Sequence, residues 1–188
     1  MSDLRELLDR IVPALHQAGV PFMIAGSFAS TAHGLPRATQ DLDIVIDPSG
    51  KALNALLDLL PPESYYVDVD VAREAFRSRG MFNVIDHASG WKIDFILRKD
   101  RSFSQQEFER RRSMSLLGVD VFMASAEDTI IAKLEWSKSS GGSERQRRDV
   151  AGMVATVGDD LDYGYIERWL DELDLKDEWE RAKQTQIS

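Results

Sequence analysis

The first part of the chain switches between a helical and a strand-like spacing of its apolar residues. From Leu4 onward, apolar residues recur every three or four positions, which predicts an amphipathic helix that ends near Gly19. The short apolar run of residues 22–25 then predicts a strand. Gly26 and the small residues that follow it up to His33 predict a glycine turn and, directly after it, a short helix.

Further strands are predicted from alternating or β-branched apolar runs. Asp41 to Asp47 alternates acidic and apolar residues at its start, as a half-buried strand does. The runs Met81 to Ile85 and Trp91 to Leu97 enclose a turn-forming segment and predict a hairpin. Residues 113–117 and 119–123 predict another strand pair. The sheet should therefore be mixed.

Helical spacing returns between these strands and dominates the C-terminal third. Helices are predicted over residues 53–60, 71–78, 125–137, 147–157 and 165–173. The predicted fold class is α/β, in the α+β sense of a mixed sheet flanked by helices, with a helical C-terminal portion. We expect residues 1–124 to form the α/β core and residues 125–188 to pack on it.

Composition narrows the class of protein. The 188 residues contain 43% hydrophobic side chains, which is enough for a core without covalent staples. The absence of cysteine excludes disulfides, thiolate metal sites and cysteine nucleophiles, and it favours a cytoplasmic protein. No apolar run reaches the roughly 20 residues that a bilayer requires, so no membrane association is expected.

Negative charge is concentrated near the C-terminus. The formal net charge is −9, and residues 159–180 alone hold ten acidic and two basic side chains, a local charge of −8. Such a chain is a poor candidate for nonspecific nucleic-acid binding, although small basic groups elsewhere leave a local polyanionic partner open.

Candidate chemistry centres on three aspartates. Asp41 and Asp43 stand at positions i and i+2 of a predicted strand, so both side chains project from one face. Their mutual repulsion would be relieved by a divalent cation, and hard oxygen ligands favour Mg²⁺ or Mn²⁺. Asp94 lies inside an apolar strand, where an unpaired carboxylate would be costly. Gly26 would allow close backbone approach to a phosphate at the start of the following helix, and Ser27 could add its hydroxyl.

Each of these features has an ordinary explanation when taken alone. An Asp-x-Asp pair is more often a solvated strand face than a metal site, and Asp68 with Asp70 repeats the pattern without a glycine turn before it. We interpret Asp70 as the N-cap of a helix. The occurrence of Gly26, the Asp41 pair and Asp94 in this order is much harder to attribute to chance.

These residues resemble a known superfamily. The segments 25–34, 37–44 and 92–95, followed by 125–134 and 147–150, resemble the DNA polymerase β-like nucleotidyltransferases, and within them the small bacterial proteins related to abortive-infection toxins. The resemblance covers about residues 3 to 175 and implies a nucleotidyltransferase-type sheet. It also implies a metal-dependent enzyme that transfers a nucleoside monophosphate from ATP or another nucleoside triphosphate to a hydroxyl group and releases pyrophosphate.

The resemblance further implies a role for each matching residue. Asp41 and Asp43 would bind two Mg²⁺ or Mn²⁺ ions, and Asp94 would complete the second metal site and activate the acceptor hydroxyl. The implied nucleotide-binding residues are Gly26, Ser27, Arg37, Lys133 and Asp149. For Lys133 an exposed helix position, and for Asp149 a helix-surface position, remain the simpler readings.

The acceptor stays open at this point. It could be tRNA or another RNA, a protein, or a small molecule such as an aminoglycoside, which the acidic C-terminal region slightly favours. An antitoxin partner is a further possibility for a toxin-like protein. The alternative function is a catalytically inactive module of the same fold that binds a nucleotide or a partner.

Overall fold

The computed structural model describes residues 2–36 and 38–186. Within these residues seven strands form one sheet. Their bounds are β1 Phe22–Ile24, β2 Asp41–Ile46, β3 Tyr65–Val67, β4 Met81–Asp86, β5 Lys92–Leu97, β6 Arg112–Leu116 and β7 Val119–Met123. The helices are α1 Ser2–Ala18, α2 Gly26–His33, α3 Gly50–Asp58, α4 Val69–Ser78, α5 Ser102–Glu109, α6 Ala126–Ser139, α7 Glu144–Val157, α8 Tyr163–Glu172 and α9 Lys176–Lys183, with a short 3₁₀ turn at Gly158–Asp160.

The sheet is mixed, as predicted. Its strand order is β3-β4-β5-β2-β1-β7-β6. The pairs β2/β5 and β1/β7 are parallel, and the other four pairs are antiparallel. The central parallel pair places Asp41 of β2 opposite Lys92 of β5, and Asp43 opposite Asp94.

One face of the sheet is apolar, because successive side chains along each strand point to opposite faces and the apolar ones share one face. Leu42, Ile44 and Ile46 of β2 and their partners on β5 are at most 1% exposed, and the rings of Phe82 and Phe95 stack with centroids 5.2 Å apart. The opposite face carries the aspartates. Helix α1 supplies further buried side chains, namely Leu7, Leu8, Ile11 and Leu15.

The chain divides into two compact units. One comprises the sheet with the N-terminal segment up to Ala25 and residues Thr39–Met123, and the other comprises Gly26–Ala38 and the chain from Ala124 onward. The second unit therefore contains the C-terminal helices together with α2, which the predicted division at residue 124 assigns to the α/β core. The reason is local packing, because Gly34 and Gly152 let α2 and the segment after it approach α7 closely. A Cβ at Gly34 would lie 2.9 Å from Cγ of Met153.

The longer periodic elements agree with the sequence prediction, as do the short strand β1 and the short helix α2. Strand β3 and helices α5 and α9 are additional to the predicted elements. Asp68, and not Asp70, caps α4: its side chain accepts hydrogen bonds from the backbone N–H groups of Asp70 and Val71. None of the described helices is long and apolar enough to cross a membrane.

Candidate active site

The three predicted aspartates lie on one face of two neighbouring parallel strands. Residues paired across adjacent strands project from the same face, so the pairs Asp41/Lys92 and Asp43/Asp94 share the polar face of the sheet. The strands form here because β-branched and aromatic residues alternate with the acids and bury the other face. The backbone also fixes this end of β2, since the N–H of Ala25 donates to the carbonyl oxygen of Asp43 at 3.0 Å.

Asp94 is the most enclosed of the three acids. Its side chain is 11% exposed, against 53% for Asp41. The side-chain amide of Asn83, its register partner on β4, donates to Oδ1 of Asp94. Oδ2 of Asp94 lies 3.0 Å from Nζ of Lys92. Both oxygens of this carboxylate are therefore engaged, one by Asn83 of the neighbouring strand β4 and the other by Lys92 of the same strand β5.

Lys92 places a positive charge among the aspartates on the polar face of the sheet. Its Nζ lies 3.0 Å from Asp94 and 3.5 Å from Oδ1 of Asp41. The hydrogen bond to Asp94, together with the charges of Asp94 and Asp41, raises the pKa of Lys92 above its usual value. Neither Lys92 nor Asn83 is among the site residues predicted from the sequence. Lys92 could have been found from its position two residues before Asp94, whereas Asn83 depends on the hairpin register.

The carboxylate oxygens on the polar face of the sheet are ligands that suit a hard cation, although they do not form a complete metal-binding group. Among the described residues, no three His, Asp or Glu side chains form a group that could hold a metal ion. The face nevertheless holds a positive charge, because the ammonium group of Lys92 contacts two of the three carboxylates. Because these carboxylate oxygens pair with the ammonium group of Lys92, they have the negative charge and the hard-ligand chemistry that Mg²⁺ and Mn²⁺ require.

In the second unit, Gly26 begins α2 in a left-handed conformation, with φ of 58°. This conformation is accessible to glycine at little cost, and it turns the chain from strand β1 into the helix. Ser27 is buried in the first turn, and its carbonyl oxygen accepts a hydrogen bond from Oγ of Ser30 at 3.0 Å. At the other end of α2, Nε2 of His33 donates to the carbonyl oxygen of Ala124 at 2.9 Å.

The structure brings Lys133 and Asp149 together in the same unit. Nζ of Lys133 lies 2.7 Å from Oδ2 of Asp149 and 3.0 Å from Oε1 of Gln146. The Lys133 side chain is 6% exposed, so the reading of an exposed helix lysine is wrong. This ion pair joins α6 to α7. Arg37, the remaining predicted nucleotide-binding residue, lies outside the described residues.

No protein-family model matches the sequence, and no curated protein matches it. Several solved structures share its fold. The antibiotic-resistance factor ANT(2'')-Ia is 14% identical with a TM-score of 0.60, and the match covers 90% of each chain. The lincosamide antibiotic adenylyltransferase LnuA, solved with lincomycin bound, is 12% identical with a TM-score of 0.54, covering 81% of this chain and 95% of that one.

A third solved structure shares the same fold. The antigenic nucleotidyltransferase-like protein from Paracoccidioides brasiliensis is 16% identical with a TM-score of 0.52, and the match covers 95% of this chain and 92% of that chain. These similarities confirm the nucleotidyltransferase fold and the α/β class that the sequence predicts.

Proposed function

We propose that this chain, which has the nucleotidyltransferase fold, transfers a nucleoside monophosphate from a nucleoside triphosphate to a hydroxyl group of a small molecule. The acceptor oxygen forms a bond to the α-phosphorus, and the bond from that phosphorus to the bridging oxygen breaks. Pyrophosphate leaves with the bonding electrons, and the hydroxyl proton passes to a base. The observation that carries the proposal is the placement of Asp43 opposite Asp94, with Asp41 two residues away on the same face.

The three aspartates would have distinct roles. Asp41 and Asp43 would hold the divalent cations, which in such reactions stabilise the charge on the transferred phosphoryl group. Asp94 would complete the second metal site and is also the candidate base, because it is the most enclosed of the three carboxylates and is oriented by Asn83 and Lys92. The contact of an ammonium group with Asp41 and Asp94 supports the fit of a cation to this face.

The second unit contains candidate phosphate-binding residues of its own. The first turn of α2 carries backbone N–H groups that suit a phosphate, and Gly26 lets a ligand approach the backbone closely. Ser27 adds a hydroxyl group to the same turn. Lys133 and Asp149 are the other proposed nucleotide-binding residues, together with Arg37. Lys133 would bind a phosphate by exchanging its contact with Gln146 or Asp149.

The nature of the structural neighbours favours a small acceptor. One neighbour, ANT(2'')-Ia, is described in complex with adenylyl-2''-tobramycin, at a TM-score of 0.59, and LnuA with lincomycin. The local charge of −8 over residues 159–180 would also attract a polycation and repel RNA. A hydroxylated cationic molecule such as an aminoglycoside is therefore the first acceptor to assay.

The first prediction concerns Asp41→Asn and Asp43→Asn. Each change removes a negative charge from the proposed cation site, so we expect transfer to fall at least about a hundredfold. The measurement is release of pyrophosphate from each nucleoside triphosphate, with Mg²⁺ and a panel of hydroxylated acceptors, and the melting temperature checks folding. Asp70→Asn is the matched control, since its side chain is 96% exposed at the start of α4. Unchanged activity in both site variants would disprove the assignment.

Calorimetric titration separates an enzyme from a binding module of the same fold. Each of the four nucleoside triphosphates is titrated with Mg²⁺ and again with chelator, into the wild type and Asp43→Asn. Saturable binding that needs both the metal and Asp43 identifies the donor. Metal-dependent binding without transfer to any acceptor would favour the inactive module.

A further inference from the structure

The polar face of the sheet contains its own cation. Nζ of Lys92 lies between two carboxylates, 3.0 Å from Asp94 and 3.5 Å from Asp41. Register fixes this arrangement, because Lys92 is paired with Asp41 across β2 and β5 and stands two residues before Asp94 on the same face. The Lys92 side chain is 39% exposed, so it can leave this position without disturbing the apolar core.

The contacts of Lys92 fall on the oxygens that a divalent cation would need. Oδ1 of Asp94 is held by Asn83, and Oδ2 faces the ammonium group. A divalent cation that bound Oδ2 of Asp94 or Oδ1 of Asp41 would be placed within a few ångströms of a second positive charge. Like charges at such distances repel strongly in a partly desolvated site. One cation must therefore move when the other binds.

We propose that Lys92 is a resident counter-cation of the carboxylate site, which competes with the divalent cation for Asp41 and Asp94. This inference rests on the proposed function, since it concerns the same carboxylates. Without metal, the ammonium group offsets the repulsion among the three acids and holds Asp94 in position. When metal binds, Lys92 leaves at least one carboxylate, so the metal affinity of the wild type is lower than the three acids alone would give.

The test is Mn²⁺ binding in the absence of nucleotide, measured by calorimetry and by electron paramagnetic resonance of the free ion. Lys92→Met keeps most of the aliphatic stem and removes the charge, and we expect it to bind Mn²⁺ about tenfold more tightly than the wild type or better. Lys92→Arg keeps a cation and should bind Mn²⁺ as weakly as the wild type. Lys51→Met, at an exposed position of α3, changes the net charge equally and should have no effect.

Thermal unfolding gives an independent readout. Without metal, Lys92→Met should melt below the wild type because Asp41 and Asp94 lose their counter-charge. Saturating Mn²⁺ should raise the melting temperature of Lys92→Met by more than that of the wild type, since ligand binding to the folded state stabilises it. An equal rise in both proteins would contradict competition.

Asp43→Asn distinguishes failure of this inference from failure of the proposed function. If Asp43→Asn removes Mn²⁺ binding but Lys92→Met binds no more tightly than the wild type, the metal site stands and the role of Lys92 is wrong. If Mn²⁺ binds none of the proteins, or binds Asp43→Asn as well as the wild type, the metal site itself is wrong and the inference fails with it.

Discussion

At the scale of single residues, the proposed site residues differ in how their backbone angles and contacts limit substitution. Gly26 has φ of 58°, which permits the sharp change from β1 to α2. Lys133 is different, because its buried ion pair with Asp149 contributes to folding whatever its role in binding. Removing one partner of such a pair leaves a buried charge behind. Loss of activity in a Lys133 variant would therefore not distinguish nucleotide binding from stability.

Gly26→Ala tests the backbone requirement. A side chain in the left-handed region costs about 1 kcal/mol, so we expect the free energy of unfolding to fall by about that amount. The measurement is urea denaturation of both proteins. Gly50→Ala is the matched control. It begins α3 without a positive φ, and its new Cβ would meet Phe76 at an ordinary 3.8 Å. An equal loss in both variants would show that the strain at Gly26 is not the cause.

At the scale of elements, Glu178 links three helices of the second unit. Its carboxylate accepts hydrogen bonds from Ser137 of α6 at 2.6 Å, from Arg147 of α7 at 2.9 Å and from Arg181 of α9 at 3.0 Å. The hydrogen bond from Arg147 is the main reason why the pKa of Glu178 is lowered to about 2. Helix α9 is therefore held to α6 and α7 by the charge of one buried carboxylate.

This pKa predicts how stability depends on pH. A carboxyl group with a folded pKa of about 2 and an ordinary value of 4.5 stabilises the folded state above pH 4.5, and it loses that contribution as the pH falls toward 2. Glu178→Gln should lower the free energy of unfolding by about 3 kcal/mol at pH 7. The difference from the wild type should shrink steadily between pH 4.5 and 2 in chemical denaturation.

Glu180→Gln is the control for this series. Its side chain lies on the same helix, is 60% exposed and pairs with Lys183, and exposed pairs of this kind contribute little to stability. We expect a change within about 0.5 kcal/mol at every pH. A loss in Glu178→Gln that stays constant down to pH 2 would mean that packing, and not the charge of Glu178, links the helices.

At the scale of the whole molecule, charge bears on the class of acceptor. The net charge of −9 is almost all in residues 159–180. Three of the basic residues that could have contributed to a polyanion-binding surface are paired with acidic side chains. Arg147 contacts Glu178, Arg148 contacts Glu144 at 2.9 Å, and Arg98 contacts Asp47 at 2.8 Å. The charge distribution therefore favours a cationic acceptor over RNA.

We expect the protein to bind tRNA negligibly at about 0.15 M salt, because its acidic surface repels phosphate groups. The measurement is filter retention of labelled tRNA with Mg²⁺ and nucleoside triphosphate present, so that an ordered binding sequence is not missed. Transfer to a cationic small acceptor should instead weaken as salt increases. Tight tRNA binding that survives this salt concentration would favour an RNA acceptor.

The sequence by itself determined the elements with long periodic patterns and the shared face of Asp41 and Asp43, since both follow from local geometry. It did not reveal β3, α5 or α9. Strand β3 buries one of its three residues, Tyr65, whereas the equally short β1 buries all three, and the apolar side chains that α9 buries are Trp179 and Ala182. Such weak apolar patterns give little local signal of a strand or helix.

Only the tertiary structure decided which side chains meet. The pairing of Asp43 with Asp94, the contact of Asn83 with that carboxylate and the position of Lys92 between two acids all depend on strand register. Register and helix packing join residues far apart in the chain, and the sequence specifies them through the whole core and not through any local pattern. The burial of Lys133 against Asp149 has the same origin, because it depends on how α6 packs on α7.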